Sequence, residues 1–248
     1  MGHLRMTAES KPAFYALEGG GWRDYVTLLH PPYTLWHLSY VVIGAALAPD
    51  WLPGRLVATL AAFFLAVGIG AHALDELNGR PLRTGIPSRV LVGLAAGSIA
   101  GAVAIGLVAA IRYDLWLLVF IGFGVFIVVA YNLELAGSRF HNDAWFAFAW
   151  GGFPLLTAYF AAAEKISAEA LIAAVFASFL SYAQRLLSTQ VRLVRRRVTS
   201  VSGTVAYHDG RSEMITAQML MRAPEDALRA LAVATIALAV ALVVLRTT

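Results

Sequence analysis

Two carboxylates and an imidazole stand together where a long apolar stretch of the chain ends. They are His72, Asp75 and Glu76 in the segment HALDELNGR. Spacings of three and four residues place these side chains on one face of a helix. Mg²⁺ prefers oxygen ligands and often combines one or two carboxylates with the phosphate oxygens of a substrate. The pattern therefore predicts a site for a metal ion together with an anionic ligand.

Two arginines follow this cluster directly. Arg80 and Arg83 are suited to binding phosphate oxygens, because a guanidinium group donates two parallel hydrogen bonds. Alternatively, Asp75 and Glu76 pair with these arginines at the level of the lipid head groups and only mark the end of a helix. Acidic residues at a helix C-terminus oppose the helix dipole, so the sequence favours the ligand site.

Two further segments place polar side chains beside apolar ones. The first is YNLELAGSRFHND, which begins at Tyr131. The second is AQRLLSTQVR, in which polar residues recur every three or four positions. We expect all three features to meet in one polar cavity. The expected catalytic residues are His72, Asp75 and Glu76, the expected metal ligands are His72, Asp75, Glu76 and Glu134, and the expected substrate-binding residues are Arg80, Arg83, Tyr131, Asn132, Arg139, Gln184, Ser188 and Arg192.

The composition of the chain sets the class of protein that must position these residues. Hydrophobic residues make up 59% of the 248 positions and charged residues only 14%, whereas soluble domains carry about 25% charged residues. The composition predicts an all-α, polytopic transmembrane helical bundle. The net charge of +4 comes from arginines beside apolar segments, which favours anionic lipids or substrates over nucleic acid. The absence of cysteine excludes disulfides and thiolate chemistry.

Seven segments are apolar over lengths that approach the thickness of a bilayer, which needs roughly 20 helical residues. We expect one transmembrane domain over residues 1–248, with an N-terminal cytoplasmic or interfacial segment over 1–30 and a cytoplasmic loop over 192–224. Residues 1–30 contain no apolar stretch of the kind found in a cleavable signal peptide. The predicted spans are 33–49, 54–77, 88–111, 114–135, 143–163, 168–191 and 225–246.

The distribution of basic residues predicts the orientation, because cytoplasmic loops are enriched in lysine and arginine. With the N-terminus inside, thirteen basic residues lie on the cytoplasmic side and four on the other, so we expect a cytoplasmic N-terminus in the membrane of a bacterium or archaeon. The thirteen are Arg5, Lys11, Arg23, Arg80, Arg83, Arg89, Arg139, Arg192, Arg195, Arg196, Arg197, Arg211 and Arg222, and the four are Arg55, Arg112, Lys165 and Arg246.

Three segments together resemble the UbiA superfamily of intramembrane prenyltransferases. LLHPPYTLWHLSYVVIGAALAP at 28–49 resembles the first helix of the family, and LAVGIGAHALDELNGRPLRTGIP at 65–87 resembles its second helix and acidic motif. The segment at 131–161 resembles its helix with a tyrosine, a basic residue and several glycines. The resemblance implies Mg²⁺ held by two aspartate motifs against the diphosphate of a polyprenyl donor. It also implies an aromatic groove for the lipid tail, with Phe63, Phe64, Phe120, Phe123, Trp145 and Trp150 as its lining.

The chain departs from the family pattern at both acidic motifs. The first motif has the form N-D-x-x-D-x-x-x-D, and an alignment on Asp75 gives Ala71, His72 and Gly79 at the other positions. The second motif falls in the sixth span, where Gln184 and its neighbours include no carboxylate. Arginines are expected to replace the missing second metal as partners of the diphosphate.

Three hypotheses for function follow from these observations. The first is a UbiA-like, Mg²⁺-dependent enzyme that acts on an isoprenoid or lipid-linked diphosphate at a cytoplasm-side cavity. The second is a catalytically silent relative that binds membrane lipid or joins a second copy or another membrane subunit. The third is a transition-metal enzyme, because mixed imidazole and carboxylate ligands suit iron, manganese or zinc; its ligands are His72, Asp75, Glu76, Glu134, His141 and Asp143.

Overall fold

A computed structural model describes residues 11–248, which form a bundle of helices with one small hairpin. Arg5 and the first ten residues of the expected segment 1–30 lie outside the described residues. The helices are α1 (Trp22–Leu28), α2 (Pro31–Leu47), α3 (Pro53–Leu77), α4 (Ser88–Arg112), α5 (Leu117–Asn132), α6 (Asp143–Ala163), α7 (Ala168–Arg197) and α8 (Ala217–Thr247), and the antiparallel strands are β1 (Thr204–Ala206) and β2 (Ser212–Met214).

The helical fold class is confirmed, and each of the seven predicted segments corresponds to one helix, from α2 to α8. Within residues 11–248, five helices are long and apolar enough to cross a membrane, namely α3, α4, α6, α7 and α8. Helix α5 is apolar but has 16 residues, and α2 has 17. The five long helices are consistent with a multi-pass membrane protein, and the count of seven spans stays a prediction.

The last two helices extend further than the sequence suggested. Helix α8 begins at Ala217 because the Thr216 hydroxyl caps it and accepts a hydrogen bond from the Met219 amide at 3.2 Å. Pro224 therefore lies inside the helix instead of at its start. Helix α7 continues to Arg197. The irregular connection is thus shorter than the expected loop over 192–224.

Successive long helices run in opposite directions, as their end contacts show. At one end Arg55 Nη1 lies 2.7 Å from Glu164 Oε1, and Arg246 donates to the Ala48 carbonyl. At the other end Arg195 Nε donates to Glu225 Oε1 at 2.8 Å. We call this second end the polar end; it holds the described N-terminal segment and the connections 78–87, 133–142 and 198–216.

Helix α2 packs in the middle of the bundle against α6 and α8. Its side chains Trp36 and Tyr40 are fully buried, and the indole donates to the Tyr40 hydroxyl at 2.6 Å. Gly44 allows the close approach to α6, because a Cβ there would lie 2.2 Å from the Leu155 carbonyl oxygen. This close packing fixes the position of α2 relative to α6.

Two helices contain a wider, π-helical stretch. In α3 it covers Phe64–Ala71 and ends directly before His72, and in α6 it covers Phe148–Gly152. Such stretches are rare in proteins, and many of those that occur lie at functional sites. The one in α6 includes Gly151, whose lack of a side chain lets the backbone contact the Ala177 carbonyl of α7. Both stretches lie next to the cavity described below.

Candidate functional site

A polar cavity of about 520 Å³ opens at the polar end. Its walls come from the N-terminal segment and from α2, α3, α5, α6 and α7. It brings together polar groups of the second, fourth and sixth predicted segments. Eight of the twelve site residues expected from the sequence line it: His72, Asp75, Tyr131, Asn132, Glu134, Gln184, Ser188 and Arg192.

Glu76 does not line the cavity, although it follows Asp75 directly. It is fully buried, and its carboxylate accepts hydrogen bonds from the Leu82 amide at 2.9 Å, the Thr84 amide at 2.8 Å and the Thr84 hydroxyl at 2.9 Å. In the structure Glu76 thus holds the 78–87 connection, and its expected catalytic and metal-binding role stays a prediction.

The three remaining arginines of the expected set also lie outside the cavity lining. Arg80 has a positive φ of 52° and donates to the Ile86 carbonyl at 2.6 Å and to the Ser88 hydroxyl at 2.7 Å. Arg83 and Arg139 are exposed. The guanidinium of Arg80 therefore fixes the same connection that Glu76 holds, and the expected substrate-binding role of the three arginines stays a prediction.

Four other arginine positions, all on α7, supply the positive charge of the cavity. Arg185, Arg192, Arg196 and Arg197 line it, against the two carboxylates of Asp75 and Glu134. The excess of positive charge suits an anionic ligand.

The arginines on α7 differ in their partners. Arg185 Nε donates to Asp143 Oδ1 at 3.1 Å, and its guanidinium carbon lies 5.4 Å from the ring centre of Phe146. Arg192 donates to the Thr189 hydroxyl at 3.0 Å. Neither Arg192 nor Arg196 forms an ion pair with any residue in 11–248.

Several polar atoms at the cavity are buried without a hydrogen-bond partner among the described residues. They are the Tyr131 hydroxyl, Arg196 Nε, His30 Nε2 and Gln184 Oε1, and all four residues line the cavity. A buried polar group without a partner costs about 1–3 kcal/mol. Their convergence on one cavity indicates that a ligand or solvent there completes their hydrogen bonding.

Three histidines of the cavity have one ring nitrogen fixed by the backbone. The Nδ1 atoms of His37, His72 and His141 lie 2.8, 3.0 and 3.0 Å from main-chain carbonyl oxygens. Because a carbonyl only accepts hydrogen bonds, each Nδ1 donates the hydrogen, and Nε2 of each ring is left for other partners.

A fourth histidine lies in the connection just before α2. The ring centre of His30 is 4.0 Å from that of His72, and its backbone has a left-handed φ of 46°. Burial of the ring, and secondly the neighbouring His72, hold the pKa of His30 well below its usual 6.5. The His30 ring is therefore neutral at pH 7.

The residues present do not fit the expected metal centre. Among residues 11–248, no three His, Asp or Glu side chains are grouped closely enough to share a metal ion. The oxygens of Glu76 accept hydrogen bonds from the chain itself, and Asp143 is paired with Arg185. The His72, Asp75, Glu76 and Glu134 set expected for Mg²⁺, and its extension to a transition metal, are therefore not assembled.

A second, apolar cavity of about 120 Å³ lies between α3, α4, α5 and α6. Phe63, Phe120 and Trp150 line it, as expected for the aromatic groove, whereas Phe64, Phe123 and Trp145 do not. Trp150 also lines the polar cavity and stacks on Phe146 with ring centres 5.5 Å apart. One side chain thus borders both cavities.

Sequence reasoning missed several residues of the polar cavity. Arg196 continues the four-residue spacing of Gln184, Ser188 and Arg192, so an extension of that stripe by one turn finds it. Nothing in the sequence around His30 marks it as a cavity residue, because a connection outside the predicted spans brings it there.

Comparison with models of protein families, with curated proteins and with solved structures gives no match.

Proposed function

We propose that the chain is a UbiA-like membrane enzyme that acts on an isoprenoid or other lipid-linked diphosphate. The single observation that carries this proposal is that Trp150 borders both an arginine-lined polar cavity and an apolar cavity. A ligand with a charged head and an apolar tail satisfies both. The basic residues at the polar end support a cytoplasm-side location for the head group.

Asp75 and His72 are the candidates for chemistry beside the head group. Both line the cavity, and the Nε2 atom of His72 is an acceptor because its Nδ1 proton is bound to the Gly68 carbonyl. The carboxylate and the imidazole can orient the hydroxyl group of a second substrate by accepting its hydrogen bond. Either group can then take up the proton of that hydroxyl. No step of the reaction is assigned to a metal ion, since the donor set for one is not assembled.

A catalytically silent lipid-binding protein or complex subunit is the second candidate. The observation in its favour is that α7 contributes Gln184 and Ser188 to the cavity, at the place of the second acidic motif of the resembled family. Such a protein binds the same amphiphile without converting it.

The test measures binding and release with the full-length protein in detergent. An isoprenoid diphosphate, the corresponding alcohol and inorganic pyrophosphate are titrated separately. We expect the intact amphiphile to bind at least tenfold more tightly than either part, since its tail adds apolar burial. Equal affinity for the alcohol and the diphosphate contradicts the proposal. Binding without release of diphosphate, in the presence of membrane lipids as acceptors, selects the silent alternative.

A further inference from the structure

We propose that Arg192 and Arg196 bind the diphosphate directly and that no protein-held metal ion takes part in its recognition. This inference rests on the proposed function and concerns how the same cavity recognises its ligand. It departs from the expectation of a magnesium site that the resemblance implied.

Arg192 and Arg196 stand one helical turn apart on α7, where like charges repel each other. Both line the polar cavity, and neither has a carboxylate partner within 4.0 Å among residues 11–248. An anion between the two guanidinium groups removes the repulsion and accepts their hydrogen bonds. The pair is therefore unfavourable without an anion and favourable with one.

The opposite wall supplies a further donor. The Tyr131 side chain of α5 is 4% exposed, and its hydroxyl has no partner among the described residues. Arg196 Nε is buried and unpartnered in the same way. Both atoms carry hydrogens to donate, so the ligand that completes them must offer acceptors. A diphosphate offers acceptor oxygens on every side.

The acidic groups are arranged in a way that disfavours a shared cation. Asp75 lines the cavity, but the neighbouring Glu76 carboxylate is bound to the Leu82 and Thr84 amides. Glu134 bonds the Ser138 hydroxyl at 3.0 Å, and its side chain is 46% exposed. The lining thus has two carboxylates against four arginines, which leaves a net positive charge on the protein itself.

The test titrates inorganic pyrophosphate into the full-length protein in detergent. Calorimetry measures the binding, once in EDTA and once with Mg²⁺. We expect binding in EDTA, with no gain on adding Mg²⁺. Arg192→Gln and Arg196→Gln should each weaken binding by roughly 10- to 100-fold, the range for a hydrogen bond to a charged group. Arg192→Lys should lie between, because it keeps the charge but loses the planar fork.

Arg222→Gln is the matched control, since this arginine on α8 is 79% exposed and does not line the cavity. The substitution removes the same charge as the two cavity variants. It should leave the affinity unchanged. Elution of each variant as a single species confirms its fold, and the lysine variant serves if a glutamine variant fails to fold. Binding only with Mg²⁺, unchanged affinity in both glutamine variants, or no pyrophosphate binding in either buffer overturns the inference. The proposed function fails separately, if the isoprenoid diphosphate binds no more tightly than its alcohol.

Discussion

The 78–87 connection and the polar cavity lie side by side at the polar end, yet they treat their charged groups in opposite ways. At the connection, Arg80 and the neighbouring Glu76 of α3 direct their hydrogen bonds to the backbone and to nearby hydroxyls. In the cavity, Arg192 and Arg196 have no carboxylate partner among the described residues. Charged groups satisfied by the chain hold it in place, whereas those left open face the cavity.

Asp75 and Glu76 show this contrast within two adjacent residues. One step along an α-helix turns the side chain by about 100°, which directs Asp75 to the cavity and Glu76 to the connection. Asp24 supports the connection from its other side, because its carboxylate accepts from the Gly85 amide at 3.0 Å. The connection is thus a fixed wall beside an open cavity.

The largest effect is expected at Glu76. Glu76→Ala leaves two buried backbone amides without acceptors, which should lower the free energy of unfolding by roughly 3–5 kcal/mol. Equilibrium unfolding in mixed micelles measures it. Asp75→Ala is the matched control and should cost less than about 1 kcal/mol. Equal losses in the two variants contradict the contrast between the two regions.

A smaller effect is expected from His30 when the pH is lowered. Its pKa is 6.5 in the unfolded chain and well below that in the folded protein, so stability is full above pH 7.5 and falls below pH 6.5, where only the unfolded chain takes up the proton. One unit below the ordinary histidine pKa the loss amounts to about 1 kcal/mol. The titratable and charged groups around the ring are His72, Tyr15, His37, Arg192 and Arg196.

His30→Asn should remove this part of the pH dependence. Asparagine tolerates the left-handed backbone of this position but does not titrate. The free energy of unfolding of both proteins is measured between about pH 8 and about pH 5, on either side of the ordinary histidine pKa. A slope that is the same in both assigns the pH dependence to other groups.

The next prediction concerns the carboxylate inside the cavity. Asp75→Asn removes a negative charge that opposes an anionic ligand, so pyrophosphate affinity should rise by about fivefold, the equivalent of about 1 kcal/mol for charges separated by water. Release of diphosphate from the isoprenoid substrate should stop in the same variant. Calorimetry and a release assay measure the two effects. A fall in affinity indicates that Asp75 holds a cation.

The smallest effect is expected at Arg139. This residue is exposed and lies outside the cavity lining, so Arg139→Ala should change stability by less than about 0.5 kcal/mol and leave pyrophosphate binding as it is. Pyrophosphate titrations of Arg139→Ala and Arg192→Gln, carried out side by side, measure the difference in affinity. Similar losses in both variants would place Arg139 in the site after all.

The helices could be predicted from the sequence because long apolar runs mark them and prolines stand at the first position of α2 and α3. The last predicted span began at 225, directly after Pro224, whereas a hydroxyl cap at Thr216 starts the helix earlier and the proline is accommodated inside it. Local signals of this kind compete, and the tertiary context decides between them.

The cavity could be predicted in part. Polar residues at helical spacing, such as Gln184, Ser188 and Arg192, were found because their pattern lies within one helix. The roles of Glu76 and Arg80 were out of reach, because they depend on the path of the 78–87 connection, where Arg80 itself adopts a positive φ. Charge and spacing indicate a site, but they do not reveal which partners a group already has.

The wide stretch Phe64–Ala71 in α3 has a consequence for the length of this helix. A π-helix holds more residues per turn than an α-helix, so the loss of one residue there is absorbed by tightening the stretch into ordinary helix. His72 and Asp75 would then keep nearly the same orientation relative to Pro53–Phe63. The loss of one residue within Pro53–Phe63 itself, in contrast, would rotate both side chains by about 100° and turn them away from the cavity.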